Sequence, residues 1–246
     1  MFFPFGRPKT IEPDHVVVAI DGKGVRVAVR RSARASRYAL RLPTAGGDPV
    51  LTIPSGGRMA EALGFVERHK PWLAARLARR PETVGFADGA EVPLRGRPHR
   101  ILHVPGRRGT AWIEEIGDVA HLCVAGDTAH LARRVSDFLK AEARRELVAA
   151  VARHAARLAV TPKAITVKDT KTRWGSCTSA GRLAFSWRII MAPPEVLDYL
   201  AAHEVAHMRE MNHSARFWRH VRTACPGADA ARAWLKHHGA SLHRYG

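Results

Sequence analysis

The stretch His203-Glu204-Val205-Ala206-His207, followed by His213, restricts the fold more than any other part of the sequence. Residues four apart on an α-helix lie on the same face, so His203 and His207 are expected to direct two imidazoles at one metal ion. His213 is placed to supply a third imidazole after the helix ends. Three protein ligands leave one tetrahedral position of Zn2+ open, which is typical of a catalytic zinc site. Glu204 stands beside the first ligand, where a carboxylate can accept a proton from water.

The residues around this motif predict a helix from about residue 194 to residue 210. Pro193 and Pro194 suit a helix start, and Glu195 falls in the first turn, where the helix dipole favours an acidic side chain. Apolar residues recur at helical spacing: Val196, Leu197, Leu200, Met208 and Met211. The first two histidines are therefore expected on an amphipathic helix.

The residues before position 127 predict a β-rich N-terminal domain with one helix. Short runs of alternating or branched apolar residues, separated by Gly, Pro and Asp, are typical of strands. The predicted strands cover residues 16–20, 25–31, 38–42, 50–53, 100–104, 110–116 and 119–124. The predicted helix covers residues 59–79, and Pro71 is expected to kink or split it. The sequence shows no internal repeat.

Residues 127–246 predict a second domain rich in helices, so the expected fold class is α+β with a domain boundary near residue 126. Asp127 is expected to cap a long helix that ends near residue 158, and Ser214 to cap a shorter helix. The other expected elements are a strand at 165–167, a hairpin of 173–177 with 183–190, and a last helix that ends at Gly239.

The composition is that of a globular protein without a membrane span. Hydrophobic residues make up 46% of the 246 positions, which is too many for a disordered chain. No apolar run approaches the roughly 20 residues that cross a bilayer. The opening Met1-Phe2-Phe3-Pro4-Phe5 is too short for a signal peptide. Cys123, Cys177 and Cys225 form no CxxC pair, which fits reduced thiols, and a soluble cytoplasmic protein is expected.

The chain carries a net charge of +18, from 40 basic and 22 acidic side chains. Such a charge attracts polyanions through the release of their counterions. The densest group of basic residues is Arg26, Arg30, Arg31, Arg34, Arg37 and Arg41. On alternating strands these side chains are expected to spread into a basic face. Nucleic-acid binding is one interpretation of that face, and a solvated surface in an arginine-rich protein is the other.

Three further motifs accompany the histidines and complete a family resemblance. They are Lys171-Thr172-Arg173-Trp174-Gly175-Ser176-Cys177, Leu183-Ala184-Phe185-Ser186-Trp187-Arg188 and Asn212-His213-Ser214-Ala215-Arg216-Phe217-Trp218. In this order, with His203–His207 between the second and the third, they resemble the YgjP-like metallopeptidases, small bacterial relatives of the WLM and SprT zincins. The resemblance is strongest over residues 165–220. It implies a minimal zincin-like domain behind a β-rich part, with zinc held by His203, His207 and His213.

Peptide hydrolysis also needs a donor for the oxyanion that forms at the scissile carbonyl. The candidates are Arg173, Tyr199, Asn212 and His220. Asn212 is also the residue best able to adopt a left-handed conformation and turn the chain toward His213. Cys177 can approach the metal, although a buried inert thiol is the more common arrangement. The strand at 183–190 is the expected edge for pairing with an extended peptide.

Three functions fit the histidine pattern. A zinc-dependent metallopeptidase acting on extended or unfolded polypeptide segments, with Glu204 as its catalytic base, uses every motif. A metal-dependent endoribonuclease of the YbeY type has the same histidine spacing but lacks the glutamate and the RWGSC hairpin. A zinc-bearing module that binds nucleic acid or protein without turnover has no use for Glu204. The metallopeptidase is therefore the predicted function, and the other two are the alternatives.

Overall fold

The structure is a computed structural model that describes residues 13–43, 47–78, 83–170 and 172–246. The chain divides into two compact units, Met1–Arg80 and Pro81–Gly246, hereafter the N-terminal and C-terminal units. The division falls well before the boundary expected near residue 126. The reason is that the sheet containing Ile101 and Leu122 shares a buried core with the long helix that follows it, so this sheet belongs to the C-terminal unit.

The N-terminal unit is a four-stranded sheet with two helices. Its elements are β1 (His15–Ile20), β2 (Lys23–Ser32), β3 (Ala39–Arg41), β4 (Val50–Pro54), α1 (Met59–Arg68) and α2 (Lys70–Ala78). The strand order is β1-β2-β4-β3, in which β2 and β4 are parallel and the other neighbours antiparallel. Alternate strand residues such as Val27 and Leu51 are buried against Val66 and Leu73 of the helices. The helices therefore cover one face of the sheet.

The helix predicted over residues 59–79 is two helices, as Pro71 indicated. α1 ends at Arg68, and Pro71 is the second residue of α2. Proline is tolerated there because the first amide groups of a helix have no intrahelical acceptor. Residue 79, the expected end, lies outside the described residues.

The C-terminal unit contains two sheets and four helices among its described residues. Its elements are β5 (Glu91–Leu94), β6 (Arg97–Val104), β7 (Ala111–Ile116), β8 (Val119–Ala125), α3 (Leu131–Arg157), β9 (Ala164–Lys168), β10 (Gly175–Cys177), β11 (Arg182–Ser186), α4 (Pro194–Ala206), α5 (Ala215–Ala224) and α6 (Ala228–Leu242). The mixture of sheets and helices confirms the α+β class. Of the helices that the structure describes, none has the length and apolar character to cross a membrane.

The two four-stranded sheets have the same topology, although the sequence shows no repeat. The second sheet has the order β5-β6-β8-β7, with β6 and β8 parallel and the outer pairs antiparallel, as in β1-β2-β4-β3. In the chain, the first of these sheets is followed by α1 and α2, and the second by α3. Many combinations of apolar side chains satisfy the same pattern of buried positions, so a repeat of fold need not appear as a repeat of sequence.

The third sheet, of order β10-β11-β9, lies next to the histidine-bearing helix in the chain and supports it in space. β11 is antiparallel to β10 and parallel to β9. The strand expected over 183–190 ends at Ser186, and Trp187–Met191 forms a 3-10 helix instead. All five of these residues are buried, and a short buried stretch has no periodicity that separates a strand from a turn of helix.

The last helix continues past Gly239, where the sequence predicted its end. α6 runs to Leu242, and Gly239 is buried within it. A Cβ atom on Gly239 would lie 3.1 Å from Nε1 of Trp174. This glycine therefore permits close packing against Trp174, the residue just before β10, rather than ending the helix.

Candidate metal centre and active site

Helix α4 carries the first part of the site. It begins at Pro194 and ends at Ala206, so His203 and Glu204 lie in its last turn and His207 follows directly. The helix is shorter than the expected 194–210, because the chain leaves it in a tight turn in which Glu210 N–H donates to Ala206 C=O at 3.1 Å. The turn allows the chain to come back toward the helix. α4 is buried on most sides, which fixes the direction of its side chains.

His203, His207 and His213 come together at the end of α4. Their ligand nitrogens all lie within 4.8 Å of one another, and Nε2 of His203 is 3.2 Å from Nε2 of His213. Two nitrogens bound to one tetrahedral zinc ion at the usual Zn–N distance are about 3.3 Å apart. The three imidazoles are therefore arranged to hold one metal ion, and each ring has a free nitrogen for it.

Two outer contacts orient the rings of the helical histidines. Nδ1 of His207 donates to the backbone carbonyl of Glu210 at 3.1 Å, which leaves Nε2 unprotonated for a metal. The hydroxyl of Tyr199, one turn earlier on α4, lies 3.4 Å from Nδ1 of His203. Tyr199 is 5% exposed, so its hydroxyl positions His203 and is not available to a substrate oxyanion. The spacing of four residues between Tyr199 and His203 is the sequence signal for this contact.

One aromatic ring packs against all three imidazoles. The ring of Phe217 on α5 lies 4.9, 4.5 and 4.8 Å from the rings of His203, His207 and His213. Phe217 is fully buried. α5 begins at this point because the Ser214 side chain accepts a hydrogen bond from the Phe217 amide. Because Ser214 directly follows His213 in the chain, this cap couples the position of the Phe217 ring to that of His213.

Burial keeps the helical imidazoles neutral. It lowers the pKa of His203 to about 3, with further contributions from His207 and His213. Burial also lowers the pKa of His207 below its ordinary value. A neutral imidazole is the form that binds a metal, so the protein itself favours the ligating state near neutral pH.

Glu204 is almost completely buried beside this cluster, with 4% of its surface exposed. Burial raises the pKa of its carboxyl group to about 7, and the positive charge of Arg173 opposes that rise. A carboxyl group in such a position exchanges a proton readily near neutral pH, as a general base must. A cation held by the neighbouring imidazoles would favour its ionised form.

The carboxylate of Glu204 lies directly against the backbone of Gly175 in β10. A Cβ atom built on Gly175 would overlap the Glu204 carboxylate, so only glycine fits without movement. The sequence motif included this glycine but gave no reason for it. The two residues belong to a cavity of about 310 Å3 that is lined by Gly175, Ser176, Cys177, His203, Glu204, His207, Met211 and His213.

We expect Gly175→Ala to lower kcat/KM for peptide hydrolysis by about 10- to 100-fold, because the added methyl group displaces the carboxylate from its working position. Metal content is expected to stay at the wild-type level, since the three atoms nearest to this methyl group all belong to Glu204 and not to a histidine. Gly85→Ala, where an added Cβ atom meets no atom within 4 Å, is the control. Undiminished hydrolysis by Gly175→Ala would show that the close approach has no catalytic role.

The strand that borders the cavity is β10, and the expectation that residues 183–190 form the free edge is wrong. β11 lies between β10 and β9, so both of its edges are already paired. β10 pairs only with β11 among the described strands, and its other edge faces the site. Sequence could not distinguish the two strands of the hairpin, because nothing local shows that the preceding strand, β9, pairs with β11 and not with its nearer neighbour β10.

The other polar candidates have different positions from those expected. Asn212 does not adopt a positive φ, and its side-chain oxygen accepts a hydrogen bond from the Ser214 amide at 3.0 Å. Arg173 is exposed near Glu204, and Nε2 of His220 is buried without a hydrogen-bond partner among the described residues. Neither side chain lines the cavity. None of the four candidate oxyanion donors is therefore among the residues that line the cavity.

Cys177 lines the cavity but does not belong to the metal-competent cluster. Its Sγ donates to the carbonyl of Thr178 at 3.3 Å. Burial, together with the charge of Glu204, raises the pKa of the thiol to about 11, so it stays protonated at neutral pH. A protonated thiol is a poor metal ligand, and this observation agrees with the inert role expected for Cys177.

Comparisons with known proteins give one family and one solved structure. The family model described as "YgjP-like, metallopeptidase domain" matches residues 37–238. A solved structure, the metallopeptidase zymogen of Pyrococcus abyssi abylysin, is 20% identical with a TM-score of 0.33, and the match covers 37% of this chain and 93% of that chain. A search of curated proteins gave no match. Because the family model spans most of the sequence, this chain belongs to the YgjP-like family of metallopeptidases.

Proposed function

We propose that this chain is a zinc-dependent metallopeptidase that hydrolyses peptide bonds in extended or unfolded polypeptide segments. The observation that carries the proposal is one cavity with three convergent imidazoles, a buried carboxylate and the free edge of a strand. Each of these features has a separate task in peptide hydrolysis. The proposal assigns His203, His207 and His213 to the metal, Glu204 to proton transfer and β10 to the substrate.

Zinc is the metal that suits this donor set best. Three neutral nitrogen ligands with one open position are typical of catalytic zinc sites, whereas magnesium and calcium prefer oxygen ligands. Bound zinc supplies a Lewis acid that makes water more acidic and polarises a carbonyl group. The protein supplies the orientation of the ligands, through Tyr199, the Glu210 carbonyl and the Phe217 ring.

Glu204 is proposed to carry the proton between water and the leaving nitrogen. Its carboxylate is held against Gly175, beside the imidazoles, and is shielded from bulk solvent. It accepts a proton as water attacks the carbonyl carbon, and it returns that proton to the amine as the C–N bond breaks. A buried carboxylate with a pKa near neutrality is suited to both halves of this exchange.

The edge of β10 is proposed to hold the substrate in an extended conformation. In the ladder with β11, hydrogen bonds join Trp174 to Ser186 and Thr178 to Arg182. Antiparallel ladders alternate, so the N–H and C=O groups of Gly175 and Cys177 point away from β11. An extended peptide can pair with these groups and bring its own carbonyl to the cavity. A compact protein cannot offer its backbone in this way.

No observation favours ribonuclease chemistry at this site. The described residues that line the cavity include no lysine or arginine, and they include the carboxylate of Glu204. A phosphate group entering the cavity would meet that negative charge without a compensating side chain. RNA is nevertheless included as a substrate in the experiment below, since cleavage of RNA would overturn the proposal.

The experiment compares one protein in two states as substrate: a reduced, alkylated and unfolded form, and its native, compact form. We expect cleavage of the unfolded form and little cleavage of the compact form, with 1,10-phenanthroline abolishing activity.

A pair of variants tests the role of the β10 edge. Cys177→Pro removes one outward N–H group without breaking a ladder bond, and Cys177→Ala retains it. We expect kcat/KM to fall about tenfold in the proline variant relative to the alanine variant, about the value of one hydrogen bond.

Three outcomes would count against parts of this proposal. Zinc-dependent cleavage of RNA with every unfolded protein left intact would replace the peptidase. Equal cleavage of the compact and unfolded forms would remove the requirement for an extended segment. Equal kcat/KM for the proline and alanine variants, both folded by circular dichroism, would remove the role of the β10 edge.

A further inference from the structure

The N-terminal sheet has one face covered by helices and one face that carries exposed side chains. On β2, Val27 faces the helices and is buried. Successive side chains of a strand alternate between its faces, so Arg26 and Arg30 point to the opposite side, where both are exposed. Val17, which is opposite Arg26 on β1, is 68% exposed. Ala39 and Arg41 of β3 are also exposed. We call this side, defined by Val17, Arg26, Ala28, Arg30, Ala39 and Arg41, the outer face.

Three arginines form a triangle on the outer face. Arg26 and Arg30 are four residues apart on β2, so their Cα atoms are about 13 Å apart. Arg41 is level with Val50 and Ala28 in the strand register, and two strand spacings place it about 10 Å to the side of β2. Between β2 and β3 lie the half-buried Val50 and Thr52 of β4, and Ala28 and Ala39 are the small residues beside them on β2 and β3. The face is therefore nearly flat, with cationic groups at its margins.

Two of these arginines have no ionic partner among the described carboxylates. Arg26 lies 3.4 Å from Asp48, and both side chains are about half exposed. No salt bridge joins Arg30 or Arg41 to a carboxylate in the described part of the chain. By contrast, Arg31 points to the other side and donates to the carbonyls of Pro54, Ser55 and Gly57. Arg31 therefore has a structural task that Arg30 and Arg41 do not share.

The second four-stranded sheet shows that this topology does not require a basic outer side. It has the same strand order and orientations, but its β7 strand carries Glu114 and Glu115. Those carboxylates pair with Arg107 at 2.9 Å and with Arg97 at 3.7 Å. Equivalent carboxylates are absent from β3, whose sequence is Ala-Leu-Arg. The positive charge of the first sheet is therefore not a consequence of its fold.

We propose that the outer face of the N-terminal sheet binds the sugar-phosphate backbone of single-stranded nucleic acid. Guanidinium groups match phosphate geometry and are charged at every physiological pH. Their separation of about 12–13 Å lets one strand run across the face and meet Arg30, Arg41 and Arg26 at different phosphates. The short side chains between the arginines leave room for the nucleic-acid strand. This binding is independent of the metal site and does not rest on the proposed hydrolysis.

A single strand fits this surface better than other polyanions. A duplex is recognised by elements that enter its grooves, and a flat sheet of short side chains has no such element. A lipid surface calls for exposed apolar side chains beside the cations, and Val17 is the only large exposed apolar residue on the outer face. On this side His15, level with Ala28, carries an imidazole that is bonded to Asp14, and no Phe, Tyr or Trp is part of the defined face, so bases have little to stack on. Binding is therefore expected to show little sequence preference.

The experiment uses the full chain and fluorescence anisotropy with labelled single-stranded DNA, single-stranded RNA and duplex DNA over a range of salt concentrations. We expect wild-type affinity for both single strands to fall steeply with salt. The double variant Arg30→Glu, Arg41→Glu should lower the slope of log K against log salt by about 1.4, which corresponds to two phosphate contacts on a single strand. The control, Arg100→Glu with Arg108→Glu, makes the same change in net charge on the C-terminal unit and should retain the wild-type slope.

Several results would overturn this inference. A salt-independent wild-type affinity would remove the electrostatic contact with phosphate. Equal losses in the two double variants would mean that net charge alone attracts the strand. Tighter binding of duplex DNA, or equal binding of labelled poly-glutamate, would assign the face to a different partner. Circular dichroism of both variants ensures that a loss of affinity is not a loss of folding.

Discussion

Glu204→Gln is expected to retain the fold and the bound metal but to hydrolyse peptides at least ~100-fold more slowly than wild type. Glutamine has nearly the same shape as glutamate, so the contact with Gly175 is preserved. It cannot take up the proton that water releases. The measurement is kcat on an unfolded protein substrate, together with zinc content by elemental analysis of the same preparation.

Glu195→Gln is the matched control for this variant. Glu195 lies on the same helix and loses the same charge, but it is exposed in the first turn, away from the cavity. We expect it to hydrolyse peptides at the wild-type rate. If Glu204→Gln has full zinc content and full turnover, Glu204 is not the general base.

His213→Ala is expected to lose the metal and, with it, nearly all peptidase activity. His213 is the exposed member of the cluster and lies outside α4, so its removal opens no cavity in the core. Changes in the outer partners of metal ligands typically cost about 10- to 100-fold in affinity, and the loss of a ligand is expected to cost more. Zinc content after dialysis, measured by elemental analysis, tests this expectation.

Thermal unfolding gives a second measurement on His213→Ala. Metal that binds only the folded protein stabilises it, so a chelator should lower the melting temperature of the wild type. The same chelator should leave the melting temperature of His213→Ala almost unchanged. His237→Ala, at an exposed position on α6, should behave as the wild type. Full zinc occupancy in His213→Ala would exclude this residue from the ligand set.

The helix of the site could be predicted because its signals are local. Pro194 marks its beginning, and the repeat of apolar residues gives its period, so His203 and His207 had to share a face. The cap by Ser214 was predicted on the same basis. Each of these predictions depends on residues fewer than five positions apart.

The choice of strand edge could not be predicted because it depends on distant pairing. Both strands of the hairpin have similar patterns, and β11 became the inner strand only because β9 pairs with it. The division into compact units after Arg80 has a related basis, since the second sheet shares a buried core with α3 and no local signal at residue 126 reports this packing. Loops and turns are visible in a sequence, but the partner across a sheet is not.

The sequence by itself determined the donors of the site: two imidazoles and a carboxylate at fixed spacing on one helix, because helical geometry repeats every 3.6 residues. The tertiary structure alone decided what surrounds them. It brought His213 to within 3.2 Å of His203, set Gly175 against Glu204, and turned the edge of β10 toward the cavity. These contacts join segments separated by 10 to 29 positions of chain, so they arise from the packing of α4 against β10 and α5 and not from any local preference.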